Sequence, residues 1–252
     1  MTVTTTPVWG QLGRLAARLP VALSPLHRLV TLPAASVKFD GPNDVGFPYG
    51  MLGNDRYGDC TFAGFVHIVQ AICLRLGVVA PSPAEADVIQ AYLLFTHGQD
   101  GGAVEADVLQ ALYSTGILGI RLAGYALGNQ GLDELWSIVE TFGASYLGIM
   151  VPAPAQGQFQ AGEPWDLTGT SADRQIEGGH CVDAIAFDQD AQIATVLTWG
   201  QKQRVTFRWL DAYLDEKWAV IPQQIKDAGT LDGFDWATLD ADLAAVGTTV
   251  VG

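Results

Sequence analysis

Among the 3 cysteines and 4 histidines of the chain, Cys60 and His180 have settings that suit nucleophilic chemistry. Cys60 ends a polar, turn-rich segment, Gly53-Asn54-Asp55-Arg56-Tyr57-Gly58-Asp59. Phe62, Phe65, Val66, Val69, Ile72, Cys73 and Leu76 follow at three- and four-residue spacings, the period of an apolar helix face. Cys60 therefore falls at a helix start, with Asp59 as the expected N-cap. Free backbone N–H groups and the positive end of the helix dipole favour the thiolate there, and the thiolate is the attacking species. His180 follows Gly178-Gly179 and opens an apolar run over residues 181–187, which the spacing predicts as a buried strand. A helix-start Cys facing a strand-start His across a cleft is an arrangement for attack assisted by a general base.

The elements that must position this pair follow from the pattern. Helices are expected over residues 82–95, with Pro83 in the first turn, over 104–114, ending at Gly116, and over 132–142. Strands are expected over 117–127, 146–151, 193–199, 204–207 and 218–221, with a short helix over 209–215. Residues 152–177 read as a long loop that leads into His180, and a helix is expected from Trp236. Six prolines interrupt residues 1–50, where residues 11–18 form the one candidate helix, with Leu12, Leu15 and Ala16 on one side. The division is an N-terminal arm (1–50), a helical half (51–116), a strand-rich half (117–222) and a C-terminal cap (223–252), with the site between the halves. The arm is expected to lie over the body; a partner-binding or propeptide-like role is the rarer reading.

The order of these parts resembles the papain-like cysteine peptidases: a nucleophile on the helix of one half, a His on a strand of the other, then a Trp-Gly pair. Here that pair is Trp199-Gly200, and Gly58 two residues before Cys60 matches as well. The resemblance runs at scattered points from about residue 54 to 221. It implies an α+β fold with a helical half and a mainly antiparallel, barrel-like sheet. It also implies that Cys60 attacks an amide, that His180 carries the proton, and that Asn54 helps hold the oxyanion, since the family places a Gln six residues before its Cys. Beside Gly53, Asn54 is equally suited to being a turn residue. Two departures stand out. The C-G-[SA]-C-[WY] signature is replaced by Gly58-Asp59-Cys60-Thr61, and Leu197 occupies the position of the Asn that orients the family's His. Thr198 and Asp183 are the candidate replacements, Asp183 the poorer one because three residues along a strand puts it on the face opposite His180.

Composition narrows the remaining classes. With 49% apolar and 16% charged residues in 252, the chain can bury a full core. Residues 1–39 hold four basic residues and no acid, which leaves the rest at −18 within a total of −14. An acidic body argues against nucleic acid as a partner, and simple solubility accounts for the charge. No run reaches transmembrane length and no N-terminal segment has the pattern of a signal peptide, so the expectation is a soluble, cytoplasmic protein without a membrane partner. No cofactor or metal is expected: His180 and Cys181 are strand neighbours facing opposite ways, and no C-x-x-C pair exists. Cys73 lies on the apolar stripe and reads as core. The leading expectation is a peptidase or amide hydrolase acting on a peptide or protein. The alternative, favoured by Leu197, is a weak or inactive papain-fold module that binds or assembles through the arm. The general look of the chain resembles proteins of bacteria and their phages, which would make such a module virion-associated. A transglutaminase-like or cell-wall amidase-like enzyme fits less well, since those families place His closer to Cys.

Overall fold

The computed structural model describes residues 11–15, 32–128 and 131–229. Its centre is helix α1 (Cys60–Arg75), in which every residue from Cys60 to Cys73 is buried. The predicted apolar stripe accounts for one side. The other side is lined by small residues that let the sheet close in: a methyl at Gly64 would come within 2.8 Å of the Cys181 sulfur and 3.0 Å of the Tyr146 ring. Helices α2 (Glu85–Phe95) and α3 (Glu105–Ser114) pack beside α1 and complete the helical half.

The opposing half is a curled, mainly antiparallel sheet. Its main path runs β3 (Ala103–Val104), β1 (Arg14–Leu15), β6 (Ile176–Asp188), β5 (Ser145–Pro152), β9 (Leu214–Pro222), β4 (Leu122–Leu127). Strand β2 (Lys38–Phe39) also joins β6, and β7 (Ile193–Thr198) and β8 (Gln201–Thr206) extend from it as a hairpin. The β1–β3 pair is parallel; the other paired strands run antiparallel. One sheet face meets α1, α2 and α3 in a core with Tyr146, Ile185, Leu197 and Trp218. The other face buries Trp136, Trp165, Phe187, Trp199 and Trp209 beneath α4 (Asp133–Phe142) and α6 (Phe207–Tyr213). Helix α7 (Gln223–Ala228) follows β9. No helix among the described residues is long and apolar enough to cross a membrane.

Beyond shifts at element ends, such as α2 beginning at Glu85 past Pro83 and β4 at Leu122, three expectations needed correction. His180 is the fifth residue of its strand rather than the first, because Gly178 and Gly179 pair with Val151 and Met150 of β5 despite the low strand preference of glycine. The stretch 152–177 carries a helix, α5 (Pro154–Ala161), started by Pro154 and stopped by Gly162 in the left-handed conformation, then a 3₁₀ turn at Ser171–Arg174. The arm over residues 11–15 is extended and contributes β1, where pairing with two strands overrides a weak helical period; residues 16–18 lie outside the described residues. The helix expected from Trp236, with the rest of the cap beyond residue 229, also lies outside them.

Candidate active site

Cys60 is the first residue of α1, and its side of the helix faces β6. Tyr146 of β5 fixes that junction by donating its hydroxyl hydrogen to the Thr61 carbonyl at 2.7 Å. The Cys60 sulfur meets two backbone N–H groups, those of Cys181 and Gly13. Helix start and His-bearing strand thus touch one residue beyond His180. Asp59 takes the N-cap position without a side-chain cap bond; burial raises its carboxyl to about 7.

His180 is held from two directions. Its Nε2 lies 2.8 Å from the Thr198 hydroxyl oxygen, and the imidazole stacks on Trp199 at 4.9 Å between centroids, 28° between planes. Thr198 therefore takes the orienting place for which Leu197 is unsuited. The neighbouring Leu197 points to the other face of β7, into the apolar core of the helical half. Trp199 and Gly200 form the two-residue loop between β7 and β8, and both have positive φ, 46° and 69°. That is the hairpin geometry matching strand twist, but it strains a Trp backbone, and the strain sits where the ring covers the imidazole. Nδ1 is buried and makes no hydrogen bond among the described residues. Complete burial lowers the imidazole to about 3, so it is neutral at pH 7.

The cleft is occupied by the chain's own arm. Residues 11–15 pass between Gly58 and Gly102 on the helical side and Gly178 and Gly179 on β6. Ala103 N–H donates to the Gly13 carbonyl at 2.9 Å, and Gln11 N–H donates to the Asn54 carbonyl at 2.5 Å. The Asn54 amide, expected to serve an oxyanion, donates instead to the carbonyls of Gln11 (3.1 Å) and Tyr57 (3.2 Å). The helical wall is stiffened by Asp100, which accepts from Gly58 N–H and the Tyr92 hydroxyl, each at 2.8 Å; that hydroxyl accepts from Gly102 N–H at 2.9 Å. Under this cover Cys60 is 2% exposed, and burial pushes its thiol up to about 12. The helix-start effect expected to lower it is outweighed.

Next to the sulfur, Arg14 of the arm enters an acidic pocket that sequence reasoning missed. Its Nε lies 3.2 Å from Glu105 and 3.1 Å from Glu216; its Nη2 donates to Asp215 at 2.7 Å and also contacts Glu216. The signal for it in the sequence was the segregation of base in the arm and acid in the body. Of the other residues of chemical interest, His67 is a packing residue, its Nε2 set between the Tyr49 and Gly50 carbonyls at 3.2 and 3.0 Å. Cys73 is buried as expected. No group of three His, Cys, Asp or Glu among the described residues is arranged to hold a metal.

These features sit in a papain-like fold, that of the cysteine proteases. The chain matches xylellain, a cysteine protease from Xylella fastidiosa, with a TM-score of 0.66 over 87% of this chain and 99% of that one, at 14% identity. It matches a procathepsin B from Trypanosoma congolense with a TM-score of 0.60 over 84% and 86% of the two chains, at 10% identity. A structure from work on the mite allergens Blo t 1 and Der p 1 matches with a TM-score of 0.50 over 82% and 75%, at 11% identity. At such identities the likeness is one of fold. No sequence-family profile and no curated protein matches the chain.

Proposed function

We propose that the protein is a thiol-dependent peptidase or amide hydrolase, with Cys60 as nucleophile and His180 as general base, held silent in this state by its arm. The observation that carries the reading is the imidazole. With Nε2–H donating to Thr198, Nδ1 is left as a free acceptor one residue from the N–H that meets the Cys60 sulfur. Nδ1 would take the thiol proton as sulfur bonds to the substrate carbonyl carbon, then give it to the leaving nitrogen as the C–N bond breaks. Water, deprotonated by the same nitrogen, would cleave the thioester and restore the thiol. The Cys60 N–H and, once freed from the Gln11 carbonyl, the Asn54 amide would stabilise the oxyanion.

A second reading, a papain-fold binding module, is favoured by one observation: the arm fills the cleft and leaves the thiol un-ionised at neutral pH. The test is hydrolysis of a broad fluorogenic peptide library by the full chain carrying Gly13→Ala, which displaces the arm, with and without Cys60→Ala. Hydrolysis abolished by Cys60→Ala supports the enzyme. Hydrolysis that survives it removes Cys60 from the role. Silence from an arm-displaced chain whose Cys60 alkylates readily supports the binding module.

A further inference from the structure

The pocket around Arg14 is built across the rungs of the sheet. Gly148 of β5 pairs with Cys181 on one side and Glu216 on the other. Its lack of a side chain makes the room, because a methyl there would land on the Arg14 guanidinium. Glu105, the first residue of α3, closes the pocket from the helical half, so the two halves of the molecule meet on one guanidinium. The Arg14 side chain is 1% exposed, that of Glu105 0% and that of Glu216 6%, with Asp215 at the open rim at 45%. Glu216 is fixed by the Trp218 indole N–H, which donates to its second oxygen at 3.1 Å. Besides Arg14, the neighbour that lowers the Glu105 carboxyl is the Cys181 thiol, and no other N–H or O–H among the described residues donates to it.

A buried carboxylate whose one counter-charge comes from a distant segment of the chain is costly as a purely structural device. It suits a site that receives a cation. The geometry also selects the kind of cation. Contact is made by the Nε–Nη2 edge, each nitrogen directed at a different pair of carboxylates, while Nη1 is buried with no partner among the described residues; two donors in a fixed plane fit this edge contact better than an ammonium point charge. The residue before Arg14 is Gly13, whose N–H meets the Cys60 sulfur, so whatever fills the pocket holds its own backbone over the nucleophile.

We propose that the pocket formed by Glu105, Glu216, Asp215 and Gly148 is a specificity pocket for an arginine side chain of a peptide substrate, which Arg14 of the arm occupies in its place. This rests on Cys60 being the nucleophile, and the experiment separates the two. The full chain carrying Arg14→Ala, which vacates the pocket, is treated with thiol-reactive dipeptidyl ketones bearing Arg, Lys, norleucine or Glu at either position. Cys60 labelling is followed by mass spectrometry, with iodoacetamide as a probe that has no side chain to read. In one of the two positions the Arg probe is expected to label at least tenfold faster than norleucine, with Lys between them and Glu slowest. Adding Glu216→Gln or Gly148→Ala should erase that ratio without changing the iodoacetamide rate by a comparable factor. Equal rates for Arg and norleucine, with Cys60 labelled, overturn the pocket and leave the nucleophile standing. No labelling of Cys60 by any probe, iodoacetamide included, overturns both. Should Arg14→Ala fold poorly by circular dichroism, Arg14→Met, which keeps the apolar stem and removes the charge, takes its place with the same outcomes.

Discussion

Gly13→Ala is the sharpest single perturbation of the arm. Gly13 has no positive φ, so alanine suits its backbone, but the added methyl would land on the Gly58 carbonyl. Gly58 cannot easily retreat, because Asp100 holds its N–H at 2.8 Å and is itself held by Tyr92. The arm must move instead, which breaks the 2.9 Å bond from Ala103 and lifts Arg14 from its carboxylates. Ordering five residues costs about 5–10 kcal/mol in backbone entropy, which the contacts of the arm must offset, so losing one hydrogen bond and one ion-pair seat works toward its release. The thiol changes at the same time. At about 12, as it stands under the arm, roughly three thiols in 10⁵ are ionised at pH 7.5; near the ordinary 8.5 about one in ten would be. Iodoacetamide labelling of Cys60 at pH 7.5 should therefore rise by on the order of 10² or more, with Cys73 and Cys181 little changed. The assay is mass-resolved alkylation on folded protein, checked by circular dichroism. An unchanged Cys60 rate in a folded Gly13→Ala chain would refute the claim that the arm controls the thiol.

Thr198→Val should remove the partner of Nε2 and lower kcat of an arm-displaced chain by tenfold or more with little effect on KM, while Thr198→Ser should retain most of it; steady-state kinetics on a fluorogenic peptide decides. Leu197→Asn should restore nothing, because position 197 faces the apolar core, and should destabilise by about 2–4 kcal/mol in urea unfolding. His67 should contribute a loss of stability as pH drops from 6.5 toward 4, opposed in the same window by the raised carboxyls of Asp59 and Glu105. His67 is neutral and buried with its imidazole lowered to about 4, so the unfolded state binds the proton first, and the group alone accounts for about 3 kcal/mol at full burial. In His67→Asn the slope of stability against pH over that window should be smaller by up to about one proton; an identical slope would contradict the assignment.

The fold was legible where local patterns and tertiary need coincide. The apolar stripe after Cys60 is a helix because all of its faces are buried, and the runs near 146–151 and 181–187 are strands because both of their faces are covered. It was illegible where pairing decides against propensity. Gly178 and Gly179 read as loop until Met150 and Val151 are known to lie beside them. Arg14 and Leu15 read as helix until β3 and β6 offer them two ladders. The replacement for the missing Asn was legible as a short set of candidates. Strand alternation put Asp183 on the wrong face, and a hydroxyl next to Trp199 remained, which the structure places on Nε2.

The pocket was harder because nothing local announces it. Arg14 meets Glu216 across 202 positions in the chain, and no spacing rule links an arm residue to a carboxylate that far away. What the sequence did display was a partition of charge, four bases and no acid before Asp40 against an acidic remainder. Acidity read as solubility treats every carboxylate as interchangeable. The structure distinguishes them by cost. Asp190 and Asp211 lie exposed at the surface, whereas Glu105 lies where water is excluded, and burial, with Glu216 beside it, drives its carboxyl well above the ordinary range against the opposing pull of Arg14. A carboxyl buried there is kept charged only by a counter-charge, which here is Arg14 of the arm; under the proposed function a basic substrate side chain would take its place. The segregated charge of the chain therefore has a local meaning besides solubility: a base of the arm is seated on carboxylates beside Cys60, and under the proposed pocket a basic substrate would be drawn to the same carboxylates.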